Sequence, residues 1–407
     1  MSRLSVAVVI TRLQAGAGGV ALRGAQALDP ARYEITIITG DCGGGADSDG
    51  SGDSMLARAS AADLKVISVP QLVSQISPAE DRRALRRLTE LMTSGGYDVV
   101  HTHSAKAGAL GRLAAERAGT PRVVHTFHGF PFHEFQSRAR RAAYVGIERY
   151  LARRTDIFLA VGGAVAAEAV RRGIAVPERL RVINPAIEQS AVPATSATRA
   201  AARHKLGVPV GCKVIGTVGR VDYQKAPEDF VDAIAGLDRD DVYAVWIGDG
   251  PMRKTMEARA ARRGLRGRFL CVGHRDDVPE LLPGLDVFAM ASRYEGLPCA
   301  VAEAMTAGLP VVATAVNAVP DAIHPGETGV LVSPERPRQL AAAINYLLNE
   351  PAEAARMAMA GRQLIADKFT PSSLATVLEA AYGTGPGRSG SSRTAHGRPS
   401  VATAQPA

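Results

Sequence analysis

Cysteine is scarce in this 407-residue chain: Cys42, Cys212, Cys271 and Cys299 lie far apart and form no Cys-x-x-Cys pair. That spacing argues against a disulfide framework and against structural zinc, and it fits reduced thiols in a cytoplasmic protein. Long apolar runs are also missing. The longest, Ile157–Ala167, is too short to cross a bilayer. The opening run Val6–Ile10, closed by Thr11 and Arg12, is too short and wrongly flanked for a signal peptide, so a soluble or peripherally attached protein is expected. Aromatic residues make up only 5% of the chain, and no basic stretch is interleaved with them. A net charge of +8 therefore does not read as a nucleic-acid interface. Phosphate-bearing ligands or an anionic membrane surface fit it at least as well. No repeat of solenoid period is present.

What the sequence does contain is enough apolar residue, 46%, for two cores, and its length exceeds the size at which single cores stop growing. Short β-branched runs alternate with Ala/Leu/Arg-rich helical patterns. The expected strands in the first half are Ser5–Ile10, Ile35–Thr39, Lys65–Val69, Val99–His103, Val123–Phe127, Ile157–Val161 and Arg181–Ile183. In the second half they are Val214–Val218, Ala244–Ile247, Arg268–Cys271, Val287–Met290, Val311–Ala313 and Gly329–Val332. Continuous apolar strands separated by helices imply parallel sheets covered on both faces, hence an α/β chain of two doubly wound domains with a cleft at their strand ends. Glu188–Arg203 reads as the linker, Gly43–Gly52 as a mobile loop, and the Gly/Ser/Arg/Pro/Ala stretch from Gly383 as a disordered tail. Thr370-Pro371 reads as a cap and first residue of a helix running through Leu374–Tyr382.

The most specific pattern follows strand Val287–Met290: Ser292-Arg-Tyr-Glu295-Gly296-Leu297-Pro298, then a run containing Glu303. The glutamates are eight apart, which puts Glu295 at a helix mouth and Glu303 inside it on roughly the same face. A helix start after a parallel strand attracts anions, so carboxylates there point to hydrogen bonds with sugar and ribose hydroxyls. The plainer reading is a capping Glu295 and a surface Glu303. A second loop, Gly219-Arg220 with Lys225, carries two cations five apart, suited to a diphosphate, although a solvated loop is the commoner explanation. Gly248-Asp-Gly250 forms another tight strand-end turn aimed at the same cleft. In the first half, Gly16-Ala-Gly18-Gly19-Val-Ala21 mimics a dinucleotide fingerprint, with Asp41 twenty residues beyond Ala21. Five residues separate it from the strand, so a glycine loop close to a donor phosphate or an acceptor fits better.

Five of the nine histidines fall between His101 and His133. No Asp, Glu or Cys completes a metal-ligand set at helical or hairpin spacing, so no metal site is expected. His128, at a strand end before Gly129, is placed either to face the cleft or to serve as a satisfied structural histidine. Lys106 either meets an acceptor phosphate or starts a solvated helix. Glu134–Arg154 carries six arginines among apolar residues; a solvated helix face and an interfacial helix on anionic lipid are both open.

With these motifs in view, residues 1 to about 382 resemble the retaining GT-B glycosyltransferases of family 4. The E-x7-E pattern at Glu295 and Glu303, with Gly296-Leu297-Pro298 inside it, is specific to them. The resemblance implies that Glu295 meets the donor sugar, that Glu303 meets the ribose, and that the amides from Gly296 and Leu297 hold sugar or phosphate. It implies that Arg220 and Lys225 bind the diphosphate beside Gly219, although Ala226-Pro227 follows the lysine where a glycine is usual. It places His128 near the donor sugar, Gly18 and Gly19 at the cleft, and main chain near Gly273–Arg275 at the base. The catalytic set so implied is His128, Arg220, Lys225 and Glu295; Gly18, Gly19, Gly219, Arg275, Gly296, Leu297 and Glu303 bind donor.

His101-Thr-His-Ser-Ala-Lys-Ala-Gly and His125-Thr-Phe-His-Gly-Phe-Pro-Phe-His look like the capsular and exopolysaccharide branch, where acceptors are polyprenyl-diphosphate-linked sugars. The expected organisation is an acceptor-side domain over 1–190, a nucleotide-sugar domain over 191–365, a helix over 366–382 crossing back to the first domain, and the tail 383–407. The expected reaction moves a hexosyl or N-acetylhexosaminyl group from a nucleotide diphosphate sugar, taken as a UDP-sugar, with retention and with neither metal nor cofactor. Its expected place is the cytoplasm, peripherally at the inner face of the membrane, in polysaccharide or glycolipid assembly. An antibiotic or aminocyclitol acceptor, a nucleotide-sugar epimerase and a nucleic-acid-binding protein are the alternatives.

Overall fold

The computed structural model describes residues 3–40, 51–130, 132, 136–187, 192, 195–237, 239–296 and 299–383. Leu297, Gly43–Gly50, most of 188–194 and the tail from 384 therefore lie outside the described residues. The first sheet holds β1 (Leu4–Ile10), β2 (Tyr33–Thr39), β3 (Lys65–Ser68), β4 (Val99–His103), β5 (Arg122–Phe127), β6 (Ile157–Ala160) and β7 (Leu180–Val182). The second holds β8 (Lys213–Val218), β9 (Val242–Ile247), β10 (Phe269–Cys271), β11 (Val287–Met290), β12 (Val311–Thr314) and β13 (Val330–Val332). Their orders are β3-β2-β1-β4-β5-β6-β7 and β10-β9-β8-β11-β12-β13. The strand pairings are parallel throughout both sheets.

Parallel strands need crossovers, and helices supply them on both faces. That is why the strands read as unbroken apolar runs: Val6–Ile10 of β1 and Val287–Met290 of β11 are wholly buried. In each sheet the order reverses between the first strand and the fourth. These switch points lie between β1 and β4 and between β8 and β11, and a crevice opens there outside the carboxyl ends of the strands.

The stretch expected as a linker to Arg203 is shorter than that. Helix Ser196–Leu206 starts at Thr195, whose side chain accepts from the Thr198 amide and whose own amide bonds the Thr198 hydroxyl. This reciprocal capping overcomes the weak apolar periodicity of the segment. Helix Pro351–Lys368 stays with the second sheet through Met357, Ile365 and the following Phe369, so residues 366–368 complete it instead of beginning the last helix. The last helix is Pro371–Tyr382, capped by Thr370, whose hydroxyl accepts from the Ser373 amide at 3.1 Å. Its Leu374, Leu378, Ala381 and Tyr382 enter the core built on β1, beside Leu22 and Ala25. The chain thus returns to the first sheet. Its two passages are tied together where the Ile187 amide donates to the Phe369 carbonyl at 2.9 Å.

The two halves also touch across the cleft. The Gly163 amide, at the start of helix Gly163–Arg171, donates to the Asp321 carboxylate at 2.8 Å, and Ala318 packs into the first half's cluster around Phe158.

Candidate active site

Four strand ends supply the site. After β8 the chain turns through Gly219, whose φ of 152° is open to glycine, and passes Arg220 into a short turn at Tyr223–Lys225. Asp222 caps that turn by accepting from the Lys225 amide. Gly248 and Gly250 pack backbone to backbone beneath it: a methyl on Gly248 would sit 2.1 Å from the Gly219 carbonyl, and one on Gly250 2.4 Å from that of Val221. The Trp246 indole donates to the same Gly219 oxygen at 2.8 Å. The Gly248–Gly250 turn is therefore the floor of the Arg220–Lys225 loop. Ala226, where a glycine is usual, takes up φ 48°, ψ 58° and so preserves a left-handed turn without glycine.

After β11, Ser292–Glu295 folds against this loop. Glu295, only 6% exposed, has its carboxylate gripped by three donors and its amide by an acceptor. Lys225 Nζ lies 2.5 Å from its Oε1, the Ser292 hydroxyl donates at 2.6 Å and Gln224 Nε2 at 3.2 Å, and the Glu295 amide is held by Asn317 Oδ1 at 2.8 Å. Arg293 clamps the two loops together. Its guanidinium donates to Glu228 at 2.6 Å and to the Tyr223 carbonyl at 2.8 Å, and it stacks 4.3 Å from the Tyr223 ring centroid. Helix Cys299–Thr306 follows, with half-buried Glu303 in its second turn. Burial raises the Cys299 thiol, and the charges it feels there are those of Arg23, Glu303, Lys225 and Glu295. Three of the expected residues thus converge on the mouth of one helix, and Gly296 stands between them and the first half.

Arg220 shares the loop but extends outward: its side chain is 55% exposed, with Asp222 3.6 Å away. Arg275 has its side chain engaged within its own turn: both its Nε and Nη2 bond the Asp277 carboxylate at 2.7 Å, and Lys205 meets the same carboxylate, which leaves the main chain of Gly273–Arg275 as the part expected to meet a base. The loop expected at Gly18 and Gly19 is a correction, because both sit in the first turns of helix Ala15–Ala27. The Gly18 amide donates to the Gln14 carbonyl at 3.1 Å, and a methyl on Gly18 would come within 2.8 Å of Leu13. Close packing of the helix start demands the glycine. Gly16 keeps the helix at the cleft, since its Cβ position is 3.8 Å from Cys299 Sγ.

The histidines form hydrogen-bonded pairs on the first sheet. His101 bonds the Tyr382 hydroxyl at 2.8 Å and Thr126 Oγ1 at 2.7 Å; His125 bonds Thr102 Oγ1 at 2.9 Å. His103 Nδ1 meets His128 Nε2 at 2.8 Å. Burial lowers all four, His101 to about 3 and His128 to about 4, so they are neutral rings at pH 7. His128 stands at the boundary between the halves: a methyl on Gly296 would lie 1.8 Å from its carbonyl oxygen. Lys106, a candidate for an acceptor phosphate, instead pairs with Asp81 at 2.5 Å. Among the described residues, no group of three or more His, Cys, Asp or Glu is arranged to hold a metal ion.

Sequence reasoning missed Gln224, Ser292 and Asn317 as holders of Glu295, Arg23 near Cys299, and Tyr382 on His101. Ser292 alone carried a signal, sitting three residues before the glutamate.

This architecture and site have clear relatives. A family model described as "Glycosyl transferases group 1" matches residues 198–364, and one described as "Glycosyl transferase 4-like domain" matches residues 15–186. The chain is 31% identical to a UDP-Gal:alpha-D-GlcNAc-diphosphoundecaprenol alpha-1,3-galactosyltransferase of Escherichia coli, over 62% of this chain and 67% of that one. It is 30% identical to a 2-deoxystreptamine glucosyltransferase of Streptomyces kanamyceticus, over 70% and 77% respectively. Its fold matches that of Anabaena Alr3699/HepE in complex with UDP and glucose with a TM-score of 0.79, at 20% identity over 92% of this chain and 98% of the other. With two parallel-sheet halves and a glycosyltransferase match over each, this chain belongs to the GT-B glycosyltransferases of family 4.

Proposed function

We propose that the chain transfers a hexosyl or N-acetylhexosaminyl residue from a UDP-sugar, with retention of configuration, to a polyprenyl-diphosphate-linked acceptor in cell-surface polysaccharide or glycolipid assembly. The observation that carries the reading is the Glu295 carboxylate, held by Lys225, Ser292 and Gln224 at the β8/β11 switch point. Glu295 accepts from donor-sugar hydroxyls and Glu303 from the ribose. Arg220, Lys225 and the amides at the start of helix Cys299–Thr306 neutralise charge on the departing diphosphate, and neither metal nor cofactor enters the scheme. His128 bonds the donor sugar from the other side of the cleft. Closure excludes water that would hydrolyse the donor, and the leaving phosphate takes the acceptor's proton on the face it departs from.

The choice of a uridine donor and a lipid-linked acceptor is supported by the Escherichia coli relative, whose name carries both, and by the UDP-bound fold relative. A small-molecule acceptor is the second reading, favoured by the match to the 2-deoxystreptamine enzyme.

The outer face of helix Arg138–Ala152 supports attachment to an anionic membrane. Ala139, Ala142, Ala143, Gly146, Ile147 and Tyr150 are exposed at helical spacing and bracketed by Arg138, Arg149 and Arg153, as an interfacial helix requires. No helix among the described residues is long and apolar enough to cross a bilayer.

The test screens nucleotide sugars for thermal stabilisation, then offers the best of them with lipid-linked and with soluble acceptors. Acceptor-dependent UDP release that collapses in Glu303→Ala is expected. Isomerisation of the donor without acceptor would replace transfer by epimerisation, and a Glu303→Ala protein with normal donor affinity and turnover would remove that glutamate from the site.

A further inference from the structure

We propose that His103 is a positioning residue for the transfer, fixing the His128 ring so that only its Nδ1 edge is offered to the cleft. The proposal rests on the glycosyltransferase reading in which His128 meets the donor sugar.

His103 is the last residue of β4, 3% exposed, and in register with Thr126 of β5. His128 follows two residues later, just past the end of β5, and its ring comes back over His103 with centroids 5.1 Å apart and planes tilted by 31°. Nε2 of His128 and Nδ1 of His103 are 2.8 Å apart, so a single proton lies between them. Both rings are neutral, hence each carries one N–H. If His103 donates, His128 must hold its own proton on Nδ1 and presents a donor to the cleft. If His128 donates, its Nδ1 is bare and presents an acceptor. Either way the shared bond consumes Nε2 and leaves Nδ1 as the ring nitrogen available to a ligand, with the tautomer of the pair setting whether it donates or accepts.

The usual orienting partner of a working imidazole is a carboxylate or a carbonyl. A carboxylate would draw the ring toward imidazolium, whereas a second imidazole orients it without adding charge. His103 is itself held in place. The His101 ring lies 4.2 Å from it, centroid to centroid, and both nitrogens of His101 are occupied by Tyr382 and Thr126. The orientation of His128 is therefore anchored to the last helix, through His103 and His101.

The experiment uses the full chain labelled with 15N-histidine. In the unmutated protein, a scalar coupling between His103 Nδ1 and His128 Nε2 across the shared proton, with one tautomer at His128, is expected. Its absence, with His128 exchanging between tautomers, overturns the proposal whatever the variants do. His103→Leu is expected to release the His128 tautomer and lower kcat about tenfold to a hundredfold, with donor KM within about twofold. His103→Asn, whose amide falls where Nδ1 sits, is expected to recover most of kcat. A His103→Leu protein with unchanged kcat and an unchanged His128 tautomer refutes the role. Should no nucleotide sugar be turned over, the glycosyltransferase reading fails, and the spectra still decide whether His103 sets the His128 ring.

Discussion

The Lys225–Glu295 contact and the outward Arg220 divide two jobs that the sequence pattern presents as one. Removing Lys225 leaves an enclosed carboxylate short of a cation, which costs about 2–3 kcal/mol where the remaining partners are neutral. Lys225→Ala should therefore lose both stability and turnover in urea unfolding and kinetic assays. Adding Glu295→Gln should restore much of the stability and none of the turnover. Arg220 is half exposed, so Arg220→Ala should unfold at nearly the unmutated urea concentration while losing about 10²–10³ in kcat, as for one lost charge-stabilising donor. Ala226 poses a different balance. Its left-handed backbone costs about 1–2 kcal/mol relative to glycine, but its methyl is fully buried, worth about 0.8 kcal/mol, and glycine frees the unfolded chain. Thermal unfolding of Ala226→Gly should thus shift by less than about 1 kcal/mol, and Ala226→Val, β-branched at φ 48°, should fall by more than about 2 kcal/mol. At this scale the sequence revealed residues that stand directly after a strand, because a parallel strand end fixes where its next residues lie. It hid Gln224 and Asn317, whose value lies in meeting Glu295 from 71 and 22 residues away.

Elements were legible wherever composition and packing agree. All thirteen strands among the described residues overlap the expected short runs; the central ones, buried on both faces, carry an unbroken apolar signal, whereas β3, β7 and β10 are partly exposed. The start of helix Ala15–Ala27 misled for the opposite reason. Glycine costs a helix about 1 kcal/mol per residue, so Gly16, Gly18 and Gly19 looked like loop, and the tight approach to Leu13 shows why the helix accepts Gly18. The histidines of β4 and β5 bring a pH dependence with them. Their folded values lie below the ordinary 6.5, so the unfolded chain binds more protons between those values and 6.5. Stability is full above 6.5 and is lost as pH falls, by about 1.4 kcal/mol per pH unit for each ring kept neutral. Urea midpoints should fall from pH 7 to pH 5, and His101→Gln should flatten the slope by about one proton. A flat profile for the unmutated protein would mean that these rings protonate without unfolding.

At the scale of the whole molecule, the contact between the halves is built from small groups. A methyl on Gly162 would meet the Ala318 methyl at 2.3 Å and the Asp321 carboxylate at 2.5 Å. Gly162→Ala should therefore hold the cleft open: a larger radius of gyration in small-angle scattering with UDP present, UDP affinity within about threefold, and turnover lowered at least tenfold, as expected when closure assembles the site. Unchanged scattering and turnover would show that this contact is not part of the working cycle. None of this was readable from Gly162 or Asp321 in the sequence, since 158 residues separate the amide of Gly163 from its carboxylate.

The return of the last helix to the first core has a consequence for how the protein is made. Chains emerge from the ribosome N-terminus first, and domains fold as units in that order. Here the core around β1 lacks Leu374, Leu378, Ala381 and Tyr382 until the second half has been synthesised. The first half must wait on the ribosome with that apolar face uncovered, while the second can complete its own core beforehand. The first half thus closes after the second has been made, as the Tyr382 hydroxyl reaches His101.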